Sequence, residues 1–411
     1  MATRTLAAAG LALVAGALGL AAPAVAAPAR LPLVVIDTER RIVDDPKVDA
    51  TMRIAARGRI RFSSRIGIEI RGTSSMAYPK KQYAIEVRDR DGDGRDAAPL
   101  GLPAADDWVL QGPYGDKTLM RNALAYRIAR STGRYASRTR FVEAVVNDDY
   151  RGVFVLMEPP ELGRRRVAGE HLLELTAPYK VTPGDAHFPS LTGQRLIHAD
   201  PEPEEAGPGP TRRIRHHLRA FEAALHGPAF ADPAAGWRAH LDEASAVDHV
   251  LLHELLKNQD AFHASLFVHK PARGRLRLGP AWDFDIAMGN SDFGESARVA
   301  GWMTAGRPWA GRLLQDPGFA RALAARWRGL RAAGLREHAL ALVDANAGRL
   351  RGAQARNFER WPILGARVWP NPVDPATGAP PPDWPAEVAA LRGWLEARIA
   401  WIDANVDGLA R

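Results

Sequence analysis

Asp283 and Asp285 stand one residue apart in Gly279-Pro280-Ala281-Trp282-Asp283-Phe284-Asp285. On a strand that spacing puts both carboxylates on one face. Two carboxylates so placed could share a divalent cation, because magnesium keeps several waters and takes only one or two protein carboxylates beside phosphate oxygens. The competing reading is that they cap turns and pair with nearby arginines, as short Asp clusters in turns do. Asp260 closes the stretch His253-Glu254-Leu255-Leu256-Lys257-Asn258-Gln259-Asp260 at a helix end, where it could join the pair or act as a base. Ser265 follows five residues later. Far upstream, Arg71-Gly72-Thr73-Ser74-Ser75 offers backbone N–H groups, hydroxyls and a guanidinium, and such a turn can cradle phosphates. Lys80 and Lys81 begin the next strand and could reach the same anion. By itself the turn is a weak signal, since most Gly-Thr-Ser-Ser segments are only turns.

Several other chemistries find little support in the spacing. The turn is neither a Walker loop nor a dinucleotide fingerprint. His253-Glu254 begins like a zinc-protease helix, but Lys257 stands where the second His is needed. Asp89, Asp91, Asp93 and Gly94 imitate the start of a calcium loop whose twelfth position would be Leu100 instead of Glu, so they read as a hairpin turn, with weak calcium binding the minor alternative. No Gly-x-Ser-x-Gly elbow is present. The chain has no cysteine, so disulfides and thiolate metal sites are out.

The elements that must position these groups change type along the chain. Ile66, Ile68 and Ile70, then Tyr83, Ile85 and Val87, alternate with other residues as half-buried strands do. Phe141 to Val146 and Val153 to Met157 read as a hairpin turned at Asn147-Asp148-Asp149. Within this half, Met120, Leu124 and Ile128 mark one helix that Asp116 could cap. Beyond it the pattern is mostly helical. Ile214, Leu218, Phe221 and Leu225 form one apolar stripe, and Val247, Leu251 and Leu255 a second, begun at Asp242 or Ser245. Phe319, Leu323, Trp327 and Leu330 form a third, and Leu391, Leu395, Ile399 and Ile402 a fourth. Pro201 to Pro210 and Pro370 to Pro385 read as loops. This order suits an α+β protein of two lobes with a cleft between them: a β-rich N-terminal lobe, residues 27–160, and a mainly helical C-terminal lobe, residues 161–411, carrying the three aspartates.

Arg4, the apolar run Leu6 to Ala22 and the small-x-small triplet Ala24-Val25-Ala26 read as a secretory signal peptide over residues 1–26, the lesser alternative being a retained N-terminal membrane anchor. The expected destination is the periplasm or the cell exterior. No later apolar stretch is long enough to span a bilayer, so no transmembrane segment is expected in the mature chain. The formal charge of +8 comes mostly from arginines spread over Ala- and Arg-rich helices, not from one stripe interleaved with aromatics. Nucleic acid is therefore not the expected partner, whereas a phosphate-bearing ligand is compatible with the charge.

In order along the chain, Gly67-Ile68-Glu69-Ile70-Arg71-Gly72-Thr73-Ser74-Ser75, Pro79-Lys80-Lys81-Gln82-Tyr83, Asp107-Trp108-Val109-Leu110 and Asp116-Lys117-Thr118-Leu119-Met120-Arg121-Asn122 are followed by Tyr150-Arg151-Gly152-Val153-Phe154 and Glu158, then Asn258-Gln259-Asp260-Ala261-Phe262 and the Asp283 segment. Each piece alone is unspecific, but the ordered set resembles the spore-coat protein H (CotH) family of atypical secreted kinases, from about Leu33 to the Trp361 region. The resemblance implies a kinase-like two-lobed fold and transfer of the γ-phosphoryl of ATP, with Mg2+ or Mn2+, to Ser or Thr of a secreted or envelope protein. It makes Asp260 the catalytic aspartate, and Asp283 the metal aspartate with Asp285 as partner. Arg71, Gly72, Ser74, Ser75, Lys80 and Lys81 would hold phosphates, and Glu158 would lie near the interlobe hinge or nucleotide pocket. Ser265 sits at the offset where ordinary kinases carry a metal-binding Asn, a departure that substitutes a weaker hydroxyl ligand.

Two other classes of function remain open at this point. A structural or adhesion module could keep the kinase-like fold without catalysis, since fold does not fix function. An envelope enzyme acting on phosphate or polysaccharide could use the same carboxylates, with Trp282 stacking on sugar. Core packing is the commoner use of such a tryptophan.

Overall fold

The computed structural model describes residues 30–182, 184–374 and 377–410. The expected signal peptide lies outside them. Seven strands, β1 (Leu33–Asp37), β2 (Val48–Ala56), β3 (Arg59–Arg71), β4 (Gln82–Arg88), β5 (Asp107–Gln111), β6 (Thr139–Val146) and β7 (Asp149–Met157), close into a barrel in the order β1-β2-β3-β4-β5-β7-β6. The parallel pairing of β1 with β6, from Leu33 opposite Glu143 to Ile36 opposite Val146, completes the circle. Closure removes the exposed strand edges that an open sheet of this length would leave. The alternating residues point inward: Ile66, Ile68, Tyr83, Ile85 and Val87 are buried in one core with Val34, Met52, Trp108 and Leu156. The β6–β7 hairpin turns at Asn147 and Asp148, with φ of 49° and 61°. Both are left-handed, as a two-residue turn matched to strand twist requires, and Asn and Asp tolerate that conformation best after Gly. Asp89 makes a turn, its carboxylate accepting N–H bonds from Asp91, Gly92 and Asp93.

The second half departs from the mostly helical expectation. Five strands, β8 (His171–Thr176), β9 (His187–Pro189), β10 (Arg195–Asp200), β11 (Leu266–Lys270) and β12 (Arg277–Leu278), form a second sheet in the order β12-β11-β8-β10-β9. β8 is buried at every position but Glu174, so it lacks the alternation that reveals a half-exposed strand, and β9 is only three residues long. The helices among the described residues are α1 (Arg121–Ser131), α2 (Pro203–Ala206), α3 (Pro208–His226), α4 (Glu243–Leu256), α5 (Pro308–Leu314), α6 (Pro317–Ala332), α7 (Leu335–Leu350), α8 (Ala353–Arg360) and α9 (Trp384–Asn405). The proline-rich stretch 201–210, expected as loop, holds α2 and the first turn of α3. Pro203 and Pro208 occupy first helical positions, where a missing N–H costs nothing.

The chain is thus a mixed α+β protein. Its larger core joins α1, the outward faces of β5 and β7 (Val109, Val153, Val155) and the helices of the second half. The barrel ends at Met157, but α1 belongs by packing to the second half. No helix among the described residues is long and apolar enough to cross a membrane.

Candidate active site

The first wall of the site is the turn after β3. Gly72 has φ of 113°, and a Cβ built on it would stand 2.0 Å from the Ser75 hydroxyl oxygen, so only glycine fits. Ser74 begins a short 3-10 turn, Ser74–Ala77, that leaves the side chains of Ser74 and Ser75 at its rim. The Arg71 guanidinium lies 5.6 Å from the centre of the Trp282 ring and makes no hydrogen bond with another described residue. Asp283, Glu174 and Glu69 supply the nearby negative charge, while burial works against its own.

The opposing wall carries the aspartates. Asp242 accepts the Ser245 N–H at 2.8 Å and starts α4, as expected for an N-cap. α4 ends at Lys257 in a left-handed C-cap and releases Asn258, Gln259 and Asp260. The Asn258 side chain accepts the Asp260 N–H at 3.1 Å and donates to the Asp283 carbonyl at 2.8 Å, so one amide sets the spacing of two aspartates. The segment bearing Asp283 and Asp285 is not the expected strand. β12 stops at Leu278, and Asp283 has φ of 61°. α1 holds this loop instead: Asn122 accepts the Phe284 N–H at 2.7 Å, and the Tyr126 hydroxyl accepts the Asp283 N–H at 3.2 Å. Asp116 accepts the Arg121 N–H at 2.7 Å and so fixes the start of α1 from five residues upstream.

The two carboxyls meet despite the loop. Asp283 and Asp285 hydrogen-bond to each other, and burial raises both above the usual carboxylate range, Asp285 strongly. After burial, Asp260 adds to the rise of Asp283, whereas the bond from Asp285 favours the ionised form of Asp283; Asp283 in turn disfavours ionisation of Asp285, so the arrangement favours a proton on Asp285. A divalent cation would replace that proton, and the donor set suits Mg2+ or Mn2+: hard oxygens, two carboxylates, with the Ser265 hydroxyl nearby in a residue of φ 53°. No group of three or more His, Asp or Glu residues able to hold a metal unaided is found among the described residues. The metal would therefore need substrate oxygens and water to complete its shell.

The three aspartates, Ser265 and the Gly72 turn line one cavity of about 1000 Å³. Asp260, Ser265, Asp283 and Asp285 come from the second half, and Arg71, Gly72, Ser74 and Ser75 from the barrel. The cavity also exposes residues that sequence reasoning missed. Lys180 donates to Asp260 at 3.0 Å. Burial opposes the Lys180 charge, but Asp260 and then Asp283 outweigh it and raise the ammonium above its ordinary value. Glu174 faces the same space from β8; burial pushes its carboxyl up to about 7, with Asp283 adding to the rise and Lys180 opposing it. Arg307 completes the cations, and its guanidinium donates to the Gln259 carbonyl at 2.7 Å. No motif announced these three. Lys180 ends a 3-10 turn after β8, and β8 itself was hidden by its uniform burial.

Three residues expected at the phosphates or the nucleotide pocket are not in this wall. The Lys80 ammonium is buried and donates to the Val153 carbonyl at 2.6 Å and the Asn357 side chain at 2.8 Å. Burial drives it well below the usual lysine range. Lys81 donates to the Met76 carbonyl at 2.5 Å, which braces the glycine turn from behind. Glu158 is fully buried and accepts bonds from the Arg138 backbone, the Arg138 guanidinium and the Tyr135 hydroxyl. Its neighbour Met157 lines the cavity instead. Trp282 is buried in the larger core, stacks on Tyr126 at 5.8 Å and lies 5.6 Å from the Arg71 guanidinium, and it also lines the cavity.

The family described as CotH kinase protein matches residues 68–402, most of the chain. The chain belongs to the CotH kinase family. No curated protein matches it. The matched span runs from the strand that ends in the Arg71 turn to α9, so both walls of the cavity fall inside the CotH region.

Proposed function

We propose that this CotH-family chain is an exported, ATP-dependent kinase with a two-lobed, protein-kinase-like architecture that transfers the γ-phosphoryl of ATP to Ser or Thr of a secreted or envelope protein. The observation that carries the reading is the shared cavity: the aspartates of one half and the glycine turn of the other face the same space. Phosphoryl transfer asks little covalent chemistry of a protein. It asks that charge be neutralised and that the acceptor be held in line.

Charge balance supports a metal requirement. Eight carboxylates line the cavity against three cations, Arg71, Lys180 and Arg307. A triphosphate entering such a space needs additional positive charge. Asp283 and Asp285, with Ser265, would hold Mg2+ or Mn2+, and the ion when bound supplies neutralisation of the phosphate oxygens. The N–H groups of the Gly72 turn, the hydroxyls of Ser74 and Ser75 and the guanidinium of Arg71 would bind phosphate. Asp260 would accept the proton of the acceptor hydroxyl as its oxygen bonds to the γ-phosphorus and the bond to the β–γ bridging oxygen breaks, releasing ADP. Lys180 would hold the Asp260 carboxylate in place and offset charge on the moving phosphoryl group.

The test is incubation of the purified mature protein with γ-labelled ATP and Mg2+ or Mn2+. The expected result is metal-dependent label on the protein itself or on a co-exported protein. Absence of transfer, of ATP hydrolysis and of nucleotide binding with either metal would leave the non-catalytic structural reading in its place.

A further inference from the structure

The mouth of the cavity carries a cluster of exposed aromatic side chains that phosphoryl transfer does not use. Large apolar residues exposed among the described residues are few: Ile60, Tyr179, Leu191, Phe293, Trp369 and Val373. Half of them, Tyr179, Phe293 and Trp369, line this single cavity. Apolar groups gathered in one place at the surface mark an interaction site, whereas scattered ones need no explanation.

Phe293 and Trp369 stack on each other at 6.0 Å with planes 9° apart, yet remain 40% and 52% exposed. Their loops are cross-braced. Asp292 donates its N–H to the Pro370 carbonyl at 2.8 Å and pairs with Arg367. Asn371 donates to Asn290 at 2.9 Å, and the Tyr78 hydroxyl donates to the Trp369 carbonyl at 2.7 Å. These bonds hold two rings rigidly in water, where burial gives them little. The ledge is also joined to the catalytic wall. Glu295 donates its N–H to the Gln259 side chain at 3.1 Å, and a Cβ on Gly294 would lie 2.2 Å from that amide. Gln259 adjoins Asp260. On the other side of Asp260, Tyr179 adjoins Lys180 and packs 6.3 Å from His263. Aromatic surfaces therefore flank the aspartate that faces the acceptor hydroxyl.

We infer that the Phe293–Trp369 ledge docks the acceptor polypeptide, seating an aromatic or proline ring that neighbours the phosphorylated Ser or Thr. The inference rests on the kinase reading of the same cavity. A nucleobase is the other planar occupant, but the ledge is open to solvent and tied to Gln259. The more enclosed cavity wall at Met157, Thr176 and Ile197, contributed by both sheets, offers a base better shelter. Flat rings stack on Trp and Phe at small entropic cost, because both partners are already rigid.

The experiment uses the full mature protein, γ-labelled ATP and a positional-scanning library of synthetic peptides centred on Ser. Wild type is compared with the double variant Phe293→Ala/Trp369→Ala, with unfolding midpoints checked for both. The expected result is a preference for Phe, Tyr, Trp or Pro beside the acceptor in wild type. The double variant should lose it, with KM for the best peptide rising at least tenfold and KM for ATP unmoved. A retained preference, or a rise in KM for ATP instead, overturns the ledge as an acceptor site. A protein that labels itself but shows no ring preference in any peptide also overturns it. Absence of any transfer, to itself or to peptide, overturns the parent kinase reading.

Discussion

Lys180 is the residue whose role separates catalysis from mere architecture. Its ammonium reaches Asp260 from a turn eighty positions earlier in the chain. A preorganised cation beside developing charge contributes on the order of 100-fold in rate. Lys180→Ala should accordingly lower kcat roughly 100-fold, with a smaller effect on KM for ATP. An unchanged kcat in steady-state label transfer would demote Lys180 to packing. Glu174 makes a second prediction, about pH. Its carboxyl rises from an ordinary 4.5 to about 7 in the fold, chiefly by burial. The folded state therefore binds this proton more tightly than the unfolded chain does. Its stabilising effect is complete below the unfolded value and is lost as pH rises through about 7. Between those values the slope approaches ~1.4 kcal/mol per pH unit. In chelator-containing buffer, Glu174→Gln should flatten the decline of the urea midpoint from pH 5 to pH 7.5. A decline equally steep in the variant would exclude Glu174 as its source.

At the scale of elements, the site depends on short connections more than on regular structure. The Gly72 turn joins β3 to β4, and the Asp283 loop follows β12. Gly72→Ala must displace Ser75 or abandon a φ of 113°. KM for ATP should rise about tenfold, equivalent to ~1.4 kcal/mol, with a loss of stability of about 1–3 kcal/mol. Wild-type KM in that variant would mean that the turn does not touch the nucleotide. The same dependence explains what the sequence could disclose. Barrel strands with one wet face showed their alternation, as Ile66, Ile68, Tyr83 and Ile85 did, and so did amphipathic α3 and α6. β8 did not, because both of its faces are covered. The Gly72 turn and the three aspartates were recognisable as residue types. Lys180, Glu174 and Arg307 were not, since nothing local distinguishes a cavity cation from a surface one. Lys80 pointed the other way: a lysine beside a phosphate-type turn proved to be bonded inside the protein.

At the scale of the molecule, the barrel and the helical part are interlocked. α1 leaves the barrel chain and packs in the larger core, while Lys80 of the barrel side is held by Asn357 of α8. The Asn357 side chain also accepts the Val153 N–H at 3.0 Å. Lys80→Met would remove both bonds made by the buried ammonium, at a cost of about 1–3 kcal/mol. Stability should fall by that amount while KM for ATP in the folded fraction stays at the wild-type value. A selective rise in KM would instead return Lys80 to the nucleotide. The central claim concerns the whole assembly, because the cavity exists only where residues from both halves of the chain converge. Its most direct test is metal-dependent transfer from γ-labelled ATP by wild type and by Asp260→Asn, measured beside ATP binding. The account predicts that the variant binds Mg-ATP as wild type does and transfers label at least about 1000-fold more slowly. Equal transfer by the two proteins would contradict it.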